Sequence, residues 1–149
     1  MRLSSKGEYA TRAILELSRR YKVNEPVPVD VIANAQSIPP RFLEQILLSL
    51  RRAGFVRSRR GPKGGYILAK PPAEISIAQI TRAMDGPLAP VACVSQLEHE
   101  ECPLADTCEL KWLWQEVRDM ISDMLESVSF QDIMDKTWKI GDNITGPME

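Results

Sequence analysis

The sequence is short of the residues that enzymes and membrane proteins depend on. It has no Cys-x-x-Cys pair and no glycine-rich nucleotide loop. A nucleophilic cysteine would need a histidine as its base, and His99 is the only histidine of the sequence. We therefore expect that the protein is not an enzyme. No run of 18 apolar residues is present and the first eight residues are polar, so we expect neither a membrane span nor a secretory signal. We therefore place the protein in the cytoplasm.

Cysteine is also scarce, with three residues confined to positions 93–108. An odd number of cysteines in a reducing compartment argues against a framework of structural disulfides. Apolar residues, by contrast, make up 44% of the 149 residues, which is enough to build a core in one domain or in a small domain with an attachment.

The net charge of −1 hides two halves of opposite sign. Residues 1–70 contain 14 Lys and Arg against 5 Asp and Glu, which gives +9, whereas residues 71–149 contain 5 against 15, which gives −10. This division favours a nucleic-acid-binding part followed by a part with another task, although a solvated charge imbalance without any partner is the alternative.

Three helices are predicted in the basic half from the spacing of its apolar residues. They span 5–21, 28–35 and 41–53, with a turn at 36–38. Ser5 and Glu8 match a capping box for the first, and Gly54 is expected to end the third. The third helix places its apolar side chains on one face, namely Phe42, Leu43, Ile46, Leu47 and Leu50. Its polar side chains then face outward, and they include Arg41, Glu44, Gln45, Ser49, Arg51 and Arg52.

A β-hairpin with a cationic tip is predicted at residues 55–68. Its apolar ends flank a glycine-rich turn that carries four basic side chains and no acid, namely Arg57, Arg59, Arg60 and Lys63. Crowded cations of this kind suit a phosphate backbone. Two helices around a short turn followed by a basic hairpin predict a winged helix-turn-helix domain in a mainly α-helical protein.

The acidic half begins after Pro71-Pro72, which marks a linker. A capping box at Ser76 predicts a helix to about residue 84, and a loop over 88–107 then leads through Cys93 and Cys102 to Cys108. Near-heptad apolar spacing over 108–128 predicts a long helix that pairs with its copy in a dimer, the alternative being that it packs along its own domain. Ser129 is expected to cap a short last helix, to about residue 137.

The sequence resembles the Rrf2 family of bacterial transcription regulators, whose members include IscR, NsrR, RirA and CymR. The resemblance rests on the opening residues 1–10, the stretch Phe42-Leu-Glu-Gln-Ile46, the wing Arg60-Gly-Pro-Lys-Gly-Gly-Tyr66 and the three downstream cysteines. It covers about residues 1–138. It implies a homodimer joined by the long helix, which binds a pseudo-palindromic operator on double-stranded DNA.

The resemblance also implies an iron–sulfur cluster, of the 2Fe-2S or 4Fe-4S type, bound by Cys93, Cys102 and Cys108. The histidine that IscR places three residues after its last cysteine is Lys111 here, and a protonated lysine cannot act as a ligand. The fourth ligand is then expected to be Glu8 of the opposite subunit or His99 within the loop, and a Cys₃His set also suits zinc.

The outward residues of the third helix and the wing are the expected DNA contacts. Arg41 suits guanine, Gln45 suits adenine, and Glu44 accepts from cytosine or repels DNA. The complete predicted set is Arg41, Glu44, Gln45, Arg51, Arg59, Arg60, Lys63 and Gly64.

Three parts are therefore expected: a DNA-binding domain over 1–72, a linker helix, cysteine loop and dimerisation helix over 73–138, and a flexible tail over 139–149. The predicted function is a dimeric, sequence-specific regulator, expected to repress, whose affinity for its operator depends on the cluster. The alternative keeps the fold without a cluster, with control by thiol oxidation or, as in CymR-like members, by a partner protein.

Overall fold

The computed structural model describes residues 3–139, so most of the predicted tail, 140–149, lies outside the described residues. The helices and strands follow in the order α1 (Ser5–Arg19), α2 (Val29–Gln36), α3 (Pro40–Arg52), β1 (Val56–Arg59), β2 (Gly65–Leu68), α4 (Ile77–Asp85), α5 (Lys111–Ser127) and α6 (Phe130–Asp135). Short 3₁₀ turns lie at Tyr21–Val23, Pro72–Glu74 and Ala92–Val94. The prediction of a mainly helical chain with a hairpin wing is confirmed.

The N-cap of α1 is Ser4, and the prediction of a capping box from Ser5 to Glu8 is wrong. Ser4 has extended backbone angles, and its Oγ accepts a hydrogen bond from the Gly7 N–H at 3.0 Å. Ser5 is already helical, which removes it from the N-cap position. The Glu8 carboxylate instead forms an ion pair with Arg12, one turn further along the helix.

The α2–α3 pair packs on α1 through a common apolar core. Pro39 and Pro40 open α3, and Gly54 follows its end with a φ of 83°, as the sequence predicts. The buried face of α3 consists of Leu43, Ile46, Leu47 and Leu50. Phe42, which was expected on this face, is 44% exposed and lies at its rim. At 100° per residue, Phe42 points about a quarter turn away from the centre of the buried stripe.

The two strands form an antiparallel hairpin in which Val56 lies opposite Leu68. Val27, in the segment before α2, exchanges both backbone hydrogen bonds with Tyr66, each at 2.9 Å. A Cβ on Gly65 would overlap the Val27 backbone, so glycine is required where the two segments meet. The wing is therefore fixed to the helix-turn-helix by backbone bonds.

The helices α4 and α6 pack against α1 from the acidic half of the chain. Ile75, Ile80 and Phe130 belong to the same core cluster as the α1 residues. Ser76 and Ser129 both cap their helices as predicted. Each serine hydroxyl accepts a hydrogen bond from the backbone N–H of the third helical residue, Gln79 or Asp132, and the side chain of that residue accepts one from the serine backbone N–H. The Phe130 N–H donates to the Ile75 carbonyl at 3.0 Å, which joins the two caps.

The long helix α5 begins at Lys111, three residues later than predicted, because turns occupy the preceding segment. None of its 17 residues is buried. Its large exposed apolar residues include Trp112, Leu113 and Met120, and Leu110 lies just before it. Within residues 3–139 no helix has the length and apolar character needed to cross a membrane.

Candidate nucleic-acid interface and cysteine cavity

The predicted DNA contacts lie on α3 and on the hairpin. Seven of the eight are exposed and Gly64 is half-buried. Burial of Leu43 and Ile46 against α1 and α2 turns Arg41, Glu44 and Gln45 toward solvent. The outer face of α3 therefore presents one cation, one anion and one amide, which are side chains that can contact base edges in a major groove.

The hairpin is linked to α3 through Arg51. The Arg51 Nη1 donates to the Ser58 Oγ on β1 at 3.2 Å. This bond uses one of the five N–H donors of the guanidinium, and Arg51 remains exposed. Together with the bonds between Val27 and Tyr66, it sets the position of the wing relative to α3.

The tip of the wing carries Arg59, Arg60 and Lys63, all of them exposed. The Gly64 N–H donates to the Gly61 carbonyl at 2.9 Å and closes the turn. A Cβ on Gly64 would overlap the carbonyl oxygens of Arg59 and Gly61, so glycine keeps the tip compact. The tip therefore projects positive charge from a closely folded turn.

An aromatic pair beside α3 was not predicted. The Tyr9 and Phe42 rings meet edge to face with centroids 5.7 Å apart. The Arg12 guanidinium carbon lies 5.9 Å from the Tyr9 ring centroid. The pair joins α1 to the start of α3, next to Arg41. The wrong assignment of Phe42 to the buried face hid this pairing at the sequence level.

The three cysteines line a single cavity of about 370 Å³. Each cysteine is half-buried and carries a free thiol. His99, Glu101, Asp106 and Lys111 share the wall of this cavity. The structure thus brings together three predicted ligands and the alternative ligand His99, although the cysteines span 16 residues of irregular chain.

The loop that carries the cysteines is attached to α5 by Arg118. The Arg118 Nη1 donates to the Val94 carbonyl at 2.7 Å, one residue after Cys93, and the same guanidinium forms an ion pair with Asp119. Arg82 of α4 reaches the Ser122 Oγ of α5 at 2.7 Å and also pairs with Glu126. Neither arginine was predicted, because both contacts are distant in sequence.

The donor set of the cavity fits an iron–sulfur cluster or zinc in kind, since thiolates bind both. Within residues 3–139, however, no group of three or more His, Cys, Asp or Glu side chains is arranged to hold a metal ion. Glu8 does not line the cavity of its own chain. Its carboxylate pairs instead with Arg12 on α1. A bound metal would therefore require the loop to draw its donors together.

Two carboxyl groups outside these sites have clearly shifted pKa values. Burial raises the pKa of Glu16, but hydrogen bonds from Arg20 and Gln36 and the positive charges of Arg20 and Arg19 outweigh it, and the net pKa is lowered. Glu16 thereby joins α1 to α2. Hydrogen bonds from the Ser129 side chain and backbone lower the pKa of Asp132.

Residues 3–136 match the family model of Rrf2, described as an iron-dependent transcriptional regulator. The HTH-type transcriptional regulator IscR of Photorhabdus laumondii is 37% identical over 134 residues, which cover 90% of this chain and 79% of that protein.

Two solved structures share the fold and more than a quarter of the sequence. CymR, the global cysteine regulator of B. subtilis, matches with a TM-score of 0.73 and 30% identity, covering 93% of this chain and 99% of that chain. The IscR of T. potens matches with a TM-score of 0.69 and 28% identity, covering 95% of each chain.

Proposed function

Because the chain belongs to the Rrf2 family of DNA-binding transcription regulators, which are not enzymes, we propose that it binds a pseudo-palindromic operator as a homodimer. Residues 1–72 form the DNA-binding domain in this proposal, and residues 73–138 provide sensing and dimerisation. It acts in the cytoplasm, where the operator DNA of a bacterium lies, and its binding represses transcription.

The observation that carries the DNA-binding role is the attachment of the basic wing to α3. Arg51 and the segment at Val27 hold the hairpin beside the exposed face of α3, so both elements can meet one duplex together. The wing cations then contact phosphates or a minor groove, while Arg41 and Gln45 contact guanine and adenine edges. Glu44 accepts from cytosine or repels DNA until the sensor moves it.

Dimerisation is supported by the uncovered apolar surface of α5. Trp112 is 65% exposed and Met120 is 61% exposed, although both belong to the longest helix of the chain. A second copy packed along α5 removes this surface from water, and each buried methylene gives roughly 0.8 kcal/mol. The proposal therefore pairs the two α5 helices.

The sensor in this proposal is the loop with Cys93, Cys102 and Cys108 as thiolate ligands of an iron–sulfur cluster. When bound, such a cluster supplies a centre that responds to redox state and to chemical damage. The three thiols share one cavity wall, and Arg118 ties their loop to α5. Arg82 ties α5 to α4, which packs on the core of the DNA-binding domain. A change in the loop thus has a path to the wing and α3.

Glu8 is proposed as a carboxylate ligand supplied across the dimer to the other chain's cysteines. It is exposed near the start of α1, and its pairing with Arg12 is a surface contact that costs little to break.

A cluster-free regulator is the second candidate. The match to CymR and the absence of a preformed metal group within residues 3–139 favour it. Control then passes through oxidation of the thiols or through a partner protein.

Anaerobic purification followed by absorption spectra and by iron and sulfide analysis tests the sensor. A coloured protein that contains iron and sulfide supports the cluster, and a colourless iron-free protein removes it. Replacement of all three cysteines by alanine then separates control through the cysteines from control by a partner protein. A cluster or thiol sensor loses its response in vivo, whereas a regulator controlled by a partner protein keeps it.

A further inference from the structure

The last residue of α4, Asp85, contacts the start of α1. The Ser4 N–H donates to the Asp85 Oδ2 at 2.9 Å, and the Ser4 hydroxyl donates to the other oxygen of the same carboxylate. Ser4 is the N-cap of α1. A negative charge at this end of a helix is favourable, because the N–H groups of the first turn carry partial positive charge. Asp85 therefore joins α4 to the N-terminus of α1, although it lies 81 residues from Ser4 in the sequence.

Gly7 provides the space for this contact. A Cβ at position 7 would overlap the Asp85 carboxylate. Gly7 lies inside α1, where alanine would be the better helix former. The residue at position 7 is thus the one that admits Asp85 and not the one that most favours the helix.

The same turn of α4 is also attached to α5. Arg82, three residues before Asp85, donates to the Ser122 Oγ of α5 at 2.7 Å. After Asp85 the chain leaves α4 and enters the segment that leads to Cys93. The end of α4 therefore contacts α5 through Arg82 and α1 through Asp85, and the cysteine loop follows it directly.

The start of α1 in turn contacts the start of α3. Tyr9 lies two residues after Gly7, and its ring meets the Phe42 ring edge to face with centroids 5.7 Å apart. Phe42 follows Arg41, one of the proposed base contacts. A continuous series of contacts thus leads from the end of α4 through Asp85 to α1, and from α1 to the end of α3 that is proposed to read DNA.

We infer that Asp85 is a positioning residue for DNA binding, which passes a change in the cysteine loop to α3 by holding or releasing the N-terminus of α1. This inference rests on the proposed function, because it takes the loop as the sensor. Asp85 does not line the cysteine cavity, so it acts only through the elements that it joins. Asp85 and Ser4 are both exposed, and a contact between exposed groups costs little to break when the end of α4 moves.

The test uses the full chain as wild type and as Asp85→Ala, Gly7→Ala and Gly7→Ala/Asp85→Ala variants. Asp135→Ala is the matched control, because it removes an exposed aspartate at the end of another helix, where the carboxylate accepts from Gln131 of that same helix at 2.7 Å. Circular dichroism checks that each variant folds.

Fluorescence anisotropy measures the affinity of each protein for a duplex that the wild type has selected from a random library. It is measured first on the anaerobic protein. It is then measured after the protein has been stripped of metal by EDTA in air, reduced, and alkylated at its cysteines with N-ethylmaleimide. The ratio of the two affinities reports how strongly the state of the loop affects DNA binding.

The wild type and Asp135→Ala should show a ratio of roughly 5-fold to 150-fold, the usual range for coupled sites, and the ratio should fall to about one in Asp85→Ala and in Gly7→Ala. The double variant should match Asp85→Ala, because both substitutions remove the same contact. In urea unfolding, Gly7→Ala should raise the midpoint more in the Asp85→Ala background than in the wild type, because the added methyl group then meets no carboxylate.

Three results overturn the inference. In the first, the affinity ratio persists in Asp85→Ala. In the second, the wild type itself has the same affinity in both states of the loop. In the third, Gly7→Ala raises the urea midpoint equally in both backgrounds, which means that position 7 and Asp85 do not meet. In all three cases the wild type still binds the duplex and the proposed DNA-binding function stands, whereas a wild type that binds no duplex removes that function and the inference together.

Discussion

Removal of charge from the wing tip should weaken the salt dependence of DNA binding in a calculable way. In the Arg59→Ala/Arg60→Ala variant each chain loses two exposed cations at the tip, and a dimer loses four. Each phosphate neutralised contributes about 0.9 to the slope of log K against log salt, so the slope should become less steep by about 3.6. Between 50 and 200 mM salt the fall in binding constant should then shrink by roughly two orders of magnitude.

The assay is fluorescence anisotropy with a duplex that the wild-type protein has selected from a random library, titrated at several salt concentrations. Lys22→Ala/Lys139→Ala is the matched control, because both side chains are exposed. Lys22 lines a depression between the end of α1 and α6, and no residue of α3 or of the hairpin lines that depression. The control should keep the wild-type slope. An unchanged slope and affinity in the Arg59/Arg60 variant would refute the assignment of the wing to DNA.

Three further predictions concern the core, the dimer and the loop. Glu16→Gln should destabilise the fold by about 2 kcal/mol at pH 7, because charged hydrogen bonds to Arg20 and Gln36 are lost. Since the folded pKa of Glu16 lies below the ordinary value of 4.5, this stabilisation is present above that pH and disappears as the pH falls through the folded pKa. Urea unfolding across this range should show the two proteins converging, and a constant difference would contradict the assignment. Met120→Glu should weaken the dimer by at least about tenfold in sedimentation equilibrium, because it places a charge in an apolar contact. Gln115→Glu, which places the same charge about 140° away around α5, should not. Arg118→Met should release the Val94 carbonyl and so speed the alkylation of Cys93, measured in a Cys102→Ser/Cys108→Ser background. Arg57→Met in the same background is the control, and equal alkylation rates in the two variants would show that Arg118 does not hold the loop.

The sequence predicted the elements of the winged helix-turn-helix closely, since their signals are local. Proline at the start of α3, glycine after its end and serine caps at α4 and α6 act within one helical turn. Errors occurred where a signal was duplicated or marginal. Ser4 and Ser5 are both capable caps, and the contact of Ser4 with Asp85 of α4 favours the first. Phe42 sits at the edge of an apolar stripe, where one-dimensional spacing does not decide burial.

The same distinction between local and long-range signals applies to the candidate DNA-binding site and the cysteine loop. Exposed cations on the wing and polar residues on α3 could be identified from composition and period, because a solvent-facing side chain needs no tertiary partner. The contacts that support them could not be identified. Arg51 meets Ser58 across a helix and a strand, Arg118 meets a carbonyl 24 residues away, and Arg82 meets Ser122 across 40 residues.

By itself the sequence determined the fold class, the family, the basic and acidic halves and the three cysteines as candidate ligands, because each of these depends on residue type and short-range spacing. Only the tertiary structure decided that the cysteines and His99 line one cavity, that Glu8 of the same chain lies outside it, and that arginines connect the loop through α5 and α4 to the DNA-binding core. The physical reason is that an irregular loop has no periodic pattern of apolar residues. Which of its side chains lie close together therefore depends on how the helices at either end of the loop pack.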